Sequence, residues 1–214
     1  MRMKDYDERE GKRVWLSERE IGALLEHFRD DREERAASIL MARCGLRRRE
    51  VVDVTPTDLV STDHGQVVRI WDGKGEKYRE VPAPDDLMTL VLGMGRDPDE
   101  SLVSVADSTL YDWVQRARER THAETGDDGW LFVGPHDLRR SWGVRLLEAG
   151  VLPSVVMEWG GWEDWQTFRD HYLAEFSPEA LRRERGKVGW LGGEASESAE
   201  TYTAMPTSGR QPHQ

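Results

Sequence analysis

The stretch QVVRIWDGKGEKYREVPAP, residues 66–84, limits the architecture more than any other. QVVRIW and EKYREVPAP read as two strands joined by DGKG, because Asp-Gly supplies the positive φ angles that a tight hairpin turn needs. Lys74 sits in that turn. On both sides the hydrophobic period changes to that of a helix. LSEREIGALLEHFRD opens with a capping box from Ser17 to Glu20 and sets Ile21, Leu24, Leu25 and Phe28 on one face. REERAASILMARCG has Ala36, Ile39 and Leu40 in phase and stops at Gly45, a natural left-handed cap, after which Arg47 opens RRREVVDV. Past the hairpin, helical patterns follow in PDDLMTLVLGM, in STLYDWVQRARERTHAETG and in GPHDLRRSWGVRLLEAG, which ends at Gly150. A short helix is expected from Pro153, then DWQTFRDHYLAEF and SPEALRRERG. The expected fold is therefore mainly α with a small antiparallel β-sheet. It forms one domain over residues 13–190, with an N-terminal extension over 1–12 and a tail over 191–214 that reads as disordered for want of apolar periodicity.

Composition narrows the chemistry. Cys44 is the single cysteine, which excludes an intramolecular disulfide and a cysteine-built zinc site and leaves the residue as a small apolar group. No run approaches the roughly 20 apolar residues of a membrane span, and MRMKDYDEREGKR lacks the apolar stretch of a secretory signal. A cytoplasmic protein with no membrane partner is expected. Its net charge is −11 over 214 residues, ordinarily a poor basis for binding nucleic acid. The cations are nevertheless clustered, at Arg43, Arg47, Arg48 and Arg49, at Arg139, Arg140 and Arg145, and at Arg182, Arg183, Arg185 and Lys187. Arginine also far outnumbers lysine. An acidic, lysine-poor surface resembles proteins of salt-loving cytoplasms, where the Debye length falls to about 3 Å near 1 M salt.

FVGPHDLRRSWGVRLLEAG puts His136 and Arg139 in the first turn of a helix that starts near Pro135. Free N–H groups and the helix dipole favour an anion there, and a guanidinium one turn on adds a planar fork suited to phosphate oxygens. His136 and Asp137 together also suggest a metal phosphohydrolase, but His27, His64, His122, His171 and His213 offer no ligand spacing to complete one. No metal or other cofactor is expected.

G-L-R-x-x-E at 45–50, G-K-G at 73–75, H-x-L-R at 136–139 and a G-W followed by Tyr172 form an ordered series. That series resembles the tyrosine recombinase, or phage integrase, family over residues 13–185. The resemblance implies an arginine pair, Arg47 and Arg139, that clamps the scissile phosphate. It implies Lys74 as the donor to the departing 5′ oxygen, His136 as general acid/base partner, Trp162 packed and hydrogen-bonded against the phosphate, and Tyr172 as nucleophile. The chemistry agrees, since a phenol with a pKa near about 10 needs surrounding positive charge or a base to attack an anionic diester. Arg43, Arg48, Arg140 and Lys77 are expected to contact DNA, Arg140 from the surface. Rivals for these positions are Lys77 for Lys74 and Arg48 or Arg49 for Arg47. Tyr172 could instead be a core aromatic spaced with Phe168 and Phe176. Trp162 lies one residue farther from Tyr172 than the commonest family spacing.

The implied activity is site-specific recombination by a mobile element or provirus of a halophilic archaeon, through a 3′-phosphotyrosine. Expected partners are double-stranded DNA, further copies of the chain (dimer to tetramer) through residues 177–190, and an accessory DNA-binding protein. The last follows because residues 1–12 are too short for the separate helical clamp domain of typical members. A type IB topoisomerase-like nicking and closing enzyme, and a non-catalytic DNA-binding regulator of a full-length integrase, are the alternatives.

Overall fold

The structure, a computed structural model, describes residues 1–6, 10–71, 78–169 and 178–191. The chain opens with β1 (Arg2–Asp5), which pairs antiparallel with β2 (Lys12–Trp15) from Arg2↔Trp15 to Asp5↔Lys12. Residues read as an N-terminal extension thus supply a strand. α1 (Glu18–Glu26) starts at the expected box, with the Ser17 N–H donating to Glu20 Oε2 at 2.8 Å. α2 (Arg32–Ala42) begins at Asp31, whose carboxylate accepts the Glu34 N–H at 2.9 Å.

α2 is buried on every side from Ala36 to Ala42. A helix that is apolar all round belongs at the centre of a domain, and its small residues let neighbours approach closely. α3 (Arg48–Asp53) and a 3-10 turn at Pro56–Asp58 lead to a three-stranded sheet. β3 (Leu59–Thr62), β4 (Gly65–Trp71) and β5 (Tyr78–Pro82) are ordered β3-β4-β5, all antiparallel. β3 was not anticipated; it turns into β4 through Asp63-His64, where Thr62 pairs with Gly65. The β4–β5 register runs to Trp71↔Tyr78, whose rings meet at 4.8 Å.

α4 (Asp85–Met94) and α5 (Asp107–Thr125) end at Gly95 and Gly126, both left-handed. A 3-10 segment at Asp128–Phe132 precedes α6 (Pro135–Glu148), α7 (Pro153–Gly160) and the short α8 (Trp165–Phe168). The main core gathers around α2 and includes Leu40, Leu46, Val68, Leu87, Leu110 and Leu138. A smaller cluster of Val144, Leu147, Val156 and Phe168 joins α6, α7 and α8. Residues 1–175 form this unit; residues 176–214 form a second one. In the second, α9 (Pro178–Gly186) is followed by a 3-10 turn at Gly189–Leu191, and Arg185 Nε donates to the Leu191 carbonyl at 2.8 Å. Among the described residues no helix is long and apolar enough to cross a membrane.

Candidate functional site

Gly45 fixes the first corner of the site. Its φ of +66° is the left-handed conformation that ends α2, and the Leu46 N–H closes the cap on the Leu40 carbonyl at 3.0 Å. The Trp142 indole of α6 lies so close that any Cβ at position 45 would overlap the ring. Glycine is therefore required twice, by conformation and by space. Arg47 follows as the N-cap of α3. Glu50 grips it at both ends, accepting the Arg47 N–H at Oε2 (2.7 Å) and the guanidinium at Oε1 (2.6 Å). The base of the side chain is thereby oriented while the residue stays exposed.

Two buried guanidiniums draw distant segments toward this corner. Arg139 of α6, only 2% exposed, donates from Nη1 to the Gly45 carbonyl and from Nη2 to the Gly160 carbonyl. Its Cζ also stands 4.4 Å from the centre of the Trp162 ring. Arg79 of β5 donates from Nη2 to Glu50 Oε2 at 2.8 Å and from Nε to the Trp159 carbonyl at 3.0 Å. Trp159 and Gly160 belong to the last turn of α7, whose carbonyls have no partners within the helix. Burial pushes the Glu50 carboxyl up, but the Arg79 hydrogen bond and charge, the Arg47 N–H and the Arg139 charge outweigh it and hold Glu50 below the ordinary carboxylate range.

The double glycine before Trp162 has a physical reason. Gly161 caps α7 with φ +64°, and Gly160 leaves the room that the Trp162 ring fills, since a Cβ there would overlap it. Trp162 is half-buried, with Trp142 at 6.0 Å and Phe168 at 5.3 Å between ring centres.

At the mouth of α6, Pro135 opens the helix and His136 is exposed on its first turn, one turn before Arg139. Asp137 points inward. It accepts the Gly134 N–H at 3.0 Å, the Val14 N–H of β2 at 3.1 Å and the Arg140 guanidinium. Burial raises its pKa against the pull of these donors. Ser141, one turn on, accepts the Leu16 N–H at 2.8 Å, so one face of α6 binds the β1–β2 hairpin. This corrects the expectation for Arg140. The side chain is 3% exposed and held by Asp137, and is not a surface group facing a phosphate. Asp137 is likewise committed to structure.

The remaining expected cations divide. Arg43 is half-buried and ion-paired with Glu18. Arg48 is half-buried, donates to the Asp107 carbonyl at 3.1 Å and lies over the Tyr111 ring at 5.8 Å. Lys74, Lys77 and Tyr172 lie outside the described residues. Cys44 is buried, which pushes its thiol pKa up, consistent with a small apolar residue. Arg79 and the role of Glu50 escaped the sequence reading. A signal existed for Arg79, which shares its strand face with buried Val81 and so carries charge in phase with apolar residues.

These ties gather Gly45–Glu50, the start of α6 and the end of α7 around an exposed, tethered arginine, an arrangement able to hold an oxyanion. The model of the phage integrase family matches residues 14–178, a span that contains all of these segments. A tyrosine recombinase of Thermosipho africanus is 28% identical over 154 residues, covering 67% of this chain and 51% of its own length. Tyrosine recombinase XerA of Pyrococcus furiosus is 27% identical over 186 residues, covering 84% and 64% respectively. The chain thus spans between about half and two thirds of the length of these relatives. Among solved structures, XerA recombinase shares the fold with a TM-score of 0.65 at 20% identity, over 81% of this chain and 64% of that one. XerH site-specific recombinase bound to its difH substrate has a TM-score of 0.61 at 19% identity, over 79% and 52%. The matched span takes in the glycine-capped arginine turn, the hairpin, the α6 mouth and the Gly-Gly-Trp corner, and the chain belongs to the phage integrase family.

Proposed function

We propose that this protein is a site-specific DNA recombinase or integrase that cleaves and rejoins strands through a 3′-phosphotyrosine. The observation that carries the reading is the double tie made by Arg139. One guanidinium donates to the carbonyls of Gly45 and Gly160, two residues before Arg47 and two before Trp162 respectively. Three motifs far apart in sequence are thereby drawn to one place.

In the proposed reaction the Tyr172 phenol oxygen bonds to the scissile phosphorus while the bond from phosphorus to the 5′ oxygen breaks. The phenol proton passes to His136, and Lys74 protonates the departing 5′ oxygen. Arg47 and Arg139 stabilise the charge that builds on the non-bridging oxygens, and Trp162 packs and hydrogen-bonds against the phosphate. Attack by a 5′-hydroxyl reverses the step. Arg43, Arg48 and Lys77 are assigned to flanking DNA. Structural neighbours bound to difH substrate and to transposon right end DNA support DNA as partner.

Residues 13–190 are the catalytic domain in this reading. Copies associate on DNA through residues 177–190, whose Leu181 and Trp190 are exposed, and an accessory protein completes the grip on the duplex. The acidic, lysine-poor composition supports a mobile element or provirus of a halophilic archaeon, acting in the cytoplasm.

The test is a selection. The protein is incubated with a pool of nicked duplexes of random sequence, and covalent adducts are recovered and sequenced. A defined family of duplexes is expected from the parent protein and none from Tyr172→Phe. Equal yields from the two would refute the assignment of the nucleophile.

A further inference from the structure

We propose that Arg79 is a positioning residue for strand cleavage, setting Arg47 and the Trp162 corner in one geometry without touching DNA; the inference rests on the reading of the chain as a strand transferase. Arg79 is 9% exposed, and its Nη2 and Nε are both committed to partners within the protein. Its two hydrogen bonds reach two different segments. Through Glu50 Oε2 it fixes the carboxylate that holds Arg47, and through the Trp159 carbonyl it fixes the end of α7 just before Gly160 and Trp162.

Arg139 donates to the neighbouring carbonyl, Gly160, and to Gly45. The pair of guanidiniums therefore spans the same gap twice, each between the Gly45–Glu50 segment and α7. A single staple would allow the segments to pivot; two set both distance and angle. Gly161 leaves room for the stem of Arg79, because a Cβ there would stand 3.2 Å from Arg79 Cδ. β5 also follows directly on the connection that contains Lys74, so the strand anchored by Arg79 leads from the proposed proton donor. Lysine cannot replace this function. Its single ammonium could pair with Glu50 but lacks the rigid fork that reaches the Trp159 carbonyl at the same time.

Arg79→Lys keeps the charge and removes the fork. On a duplex recovered in the selection above, at saturating protein, adduct formation by Arg79→Lys is expected to slow by roughly tenfold to a hundredfold. Affinity for that duplex stays within about threefold of the parent's, and the thermal midpoint changes little. Glu50→Gln added to Arg79→Lys is expected to cost less than it does in the parent, because both act on one link. A parental rate in Arg79→Lys overturns the proposal. So does a joint fall of rate, affinity and thermal midpoint, which would mark a residue needed only for folding. If the parent yields no adduct from any duplex, it is the strand-transferase reading that fails. The placement of Arg79 is then decided by the NMR signals of the Arg47 guanidinium and the Trp162 indole. Shifts of both in Arg79→Lys support the two-ended tie, and unchanged signals overturn it.

Discussion

At the scale of single residues, the site depends on what is missing from glycines as much as on charged groups. Gly45→Ala must accommodate a methyl group where the Trp142 ring lies and adopt a positive φ that alanine resists. A loss of about 2–5 kcal/mol is expected, read from urea unfolding. A loss below about 0.5 kcal/mol, within the usual range of surface substitutions, would show that the Trp142 contact is not rigid. Gly45 was legible in the sequence because a glycine ending an apolar helical run carries a specific backbone meaning. Arg47 was legible as the residue just past that cap. Arg79 was not, because strand alternation tells which face a side chain takes but not that its partners are Glu50 and a carbonyl of α7. Arg140 was misjudged for a related reason. Adjacent arginines on a helix point in different directions, and only the inward face of α6 shows that Asp137 awaits one of them.

At the scale of elements, α6 organises both the site and the N-terminal hairpin. Asp137 satisfies the Val14 N–H, caps its own helix through Gly134 and neutralises buried Arg140. Asp137→Ala leaves that guanidinium without its carboxylate and should destabilise the protein by about 3–5 kcal/mol. Hydrogen exchange at Val14 and Leu16 should rise beyond what the global loss explains, because the hairpin loses a fixed point. Uniform acceleration across the chain would mean instead that the hairpin and the core open together. Most helices were readable from caps and period, down to the Ser17–Glu20 box, but the six-residue α3 was not. β1 and β3 were not. Each is four residues long, too short for alternation to stand out, and among the described residues β1 pairs only with β2, whose Val14 N–H and the Leu16 N–H just beyond it bond to side chains of a helix more than a hundred residues away.

At the scale of the whole molecule, the charge of −11 opposes compaction, while several basic groups are already committed to ion pairs such as Arg43 with Glu18 and Arg96 with Glu33. Added salt screens the excess negative charge. Raising KCl from 0.1 to 2 M should therefore raise the thermal midpoint by several degrees, measured by calorimetry. A falling midpoint would mean that the ion pairs outweigh the general repulsion. The family and the order of its motifs were visible in the sequence at this scale, whereas the joining of those motifs through buried arginines was not. The carbonyls of Gly45, Trp159 and Gly160 are main-chain acceptors used by Arg79 and Arg139. Any amino acid supplies a carbonyl. Lineages can therefore change the side chain at position 159 to suit their packing while the connection to Arg79 is inherited intact, whereas the Glu50 carboxylate is an acceptor that mutation can remove outright.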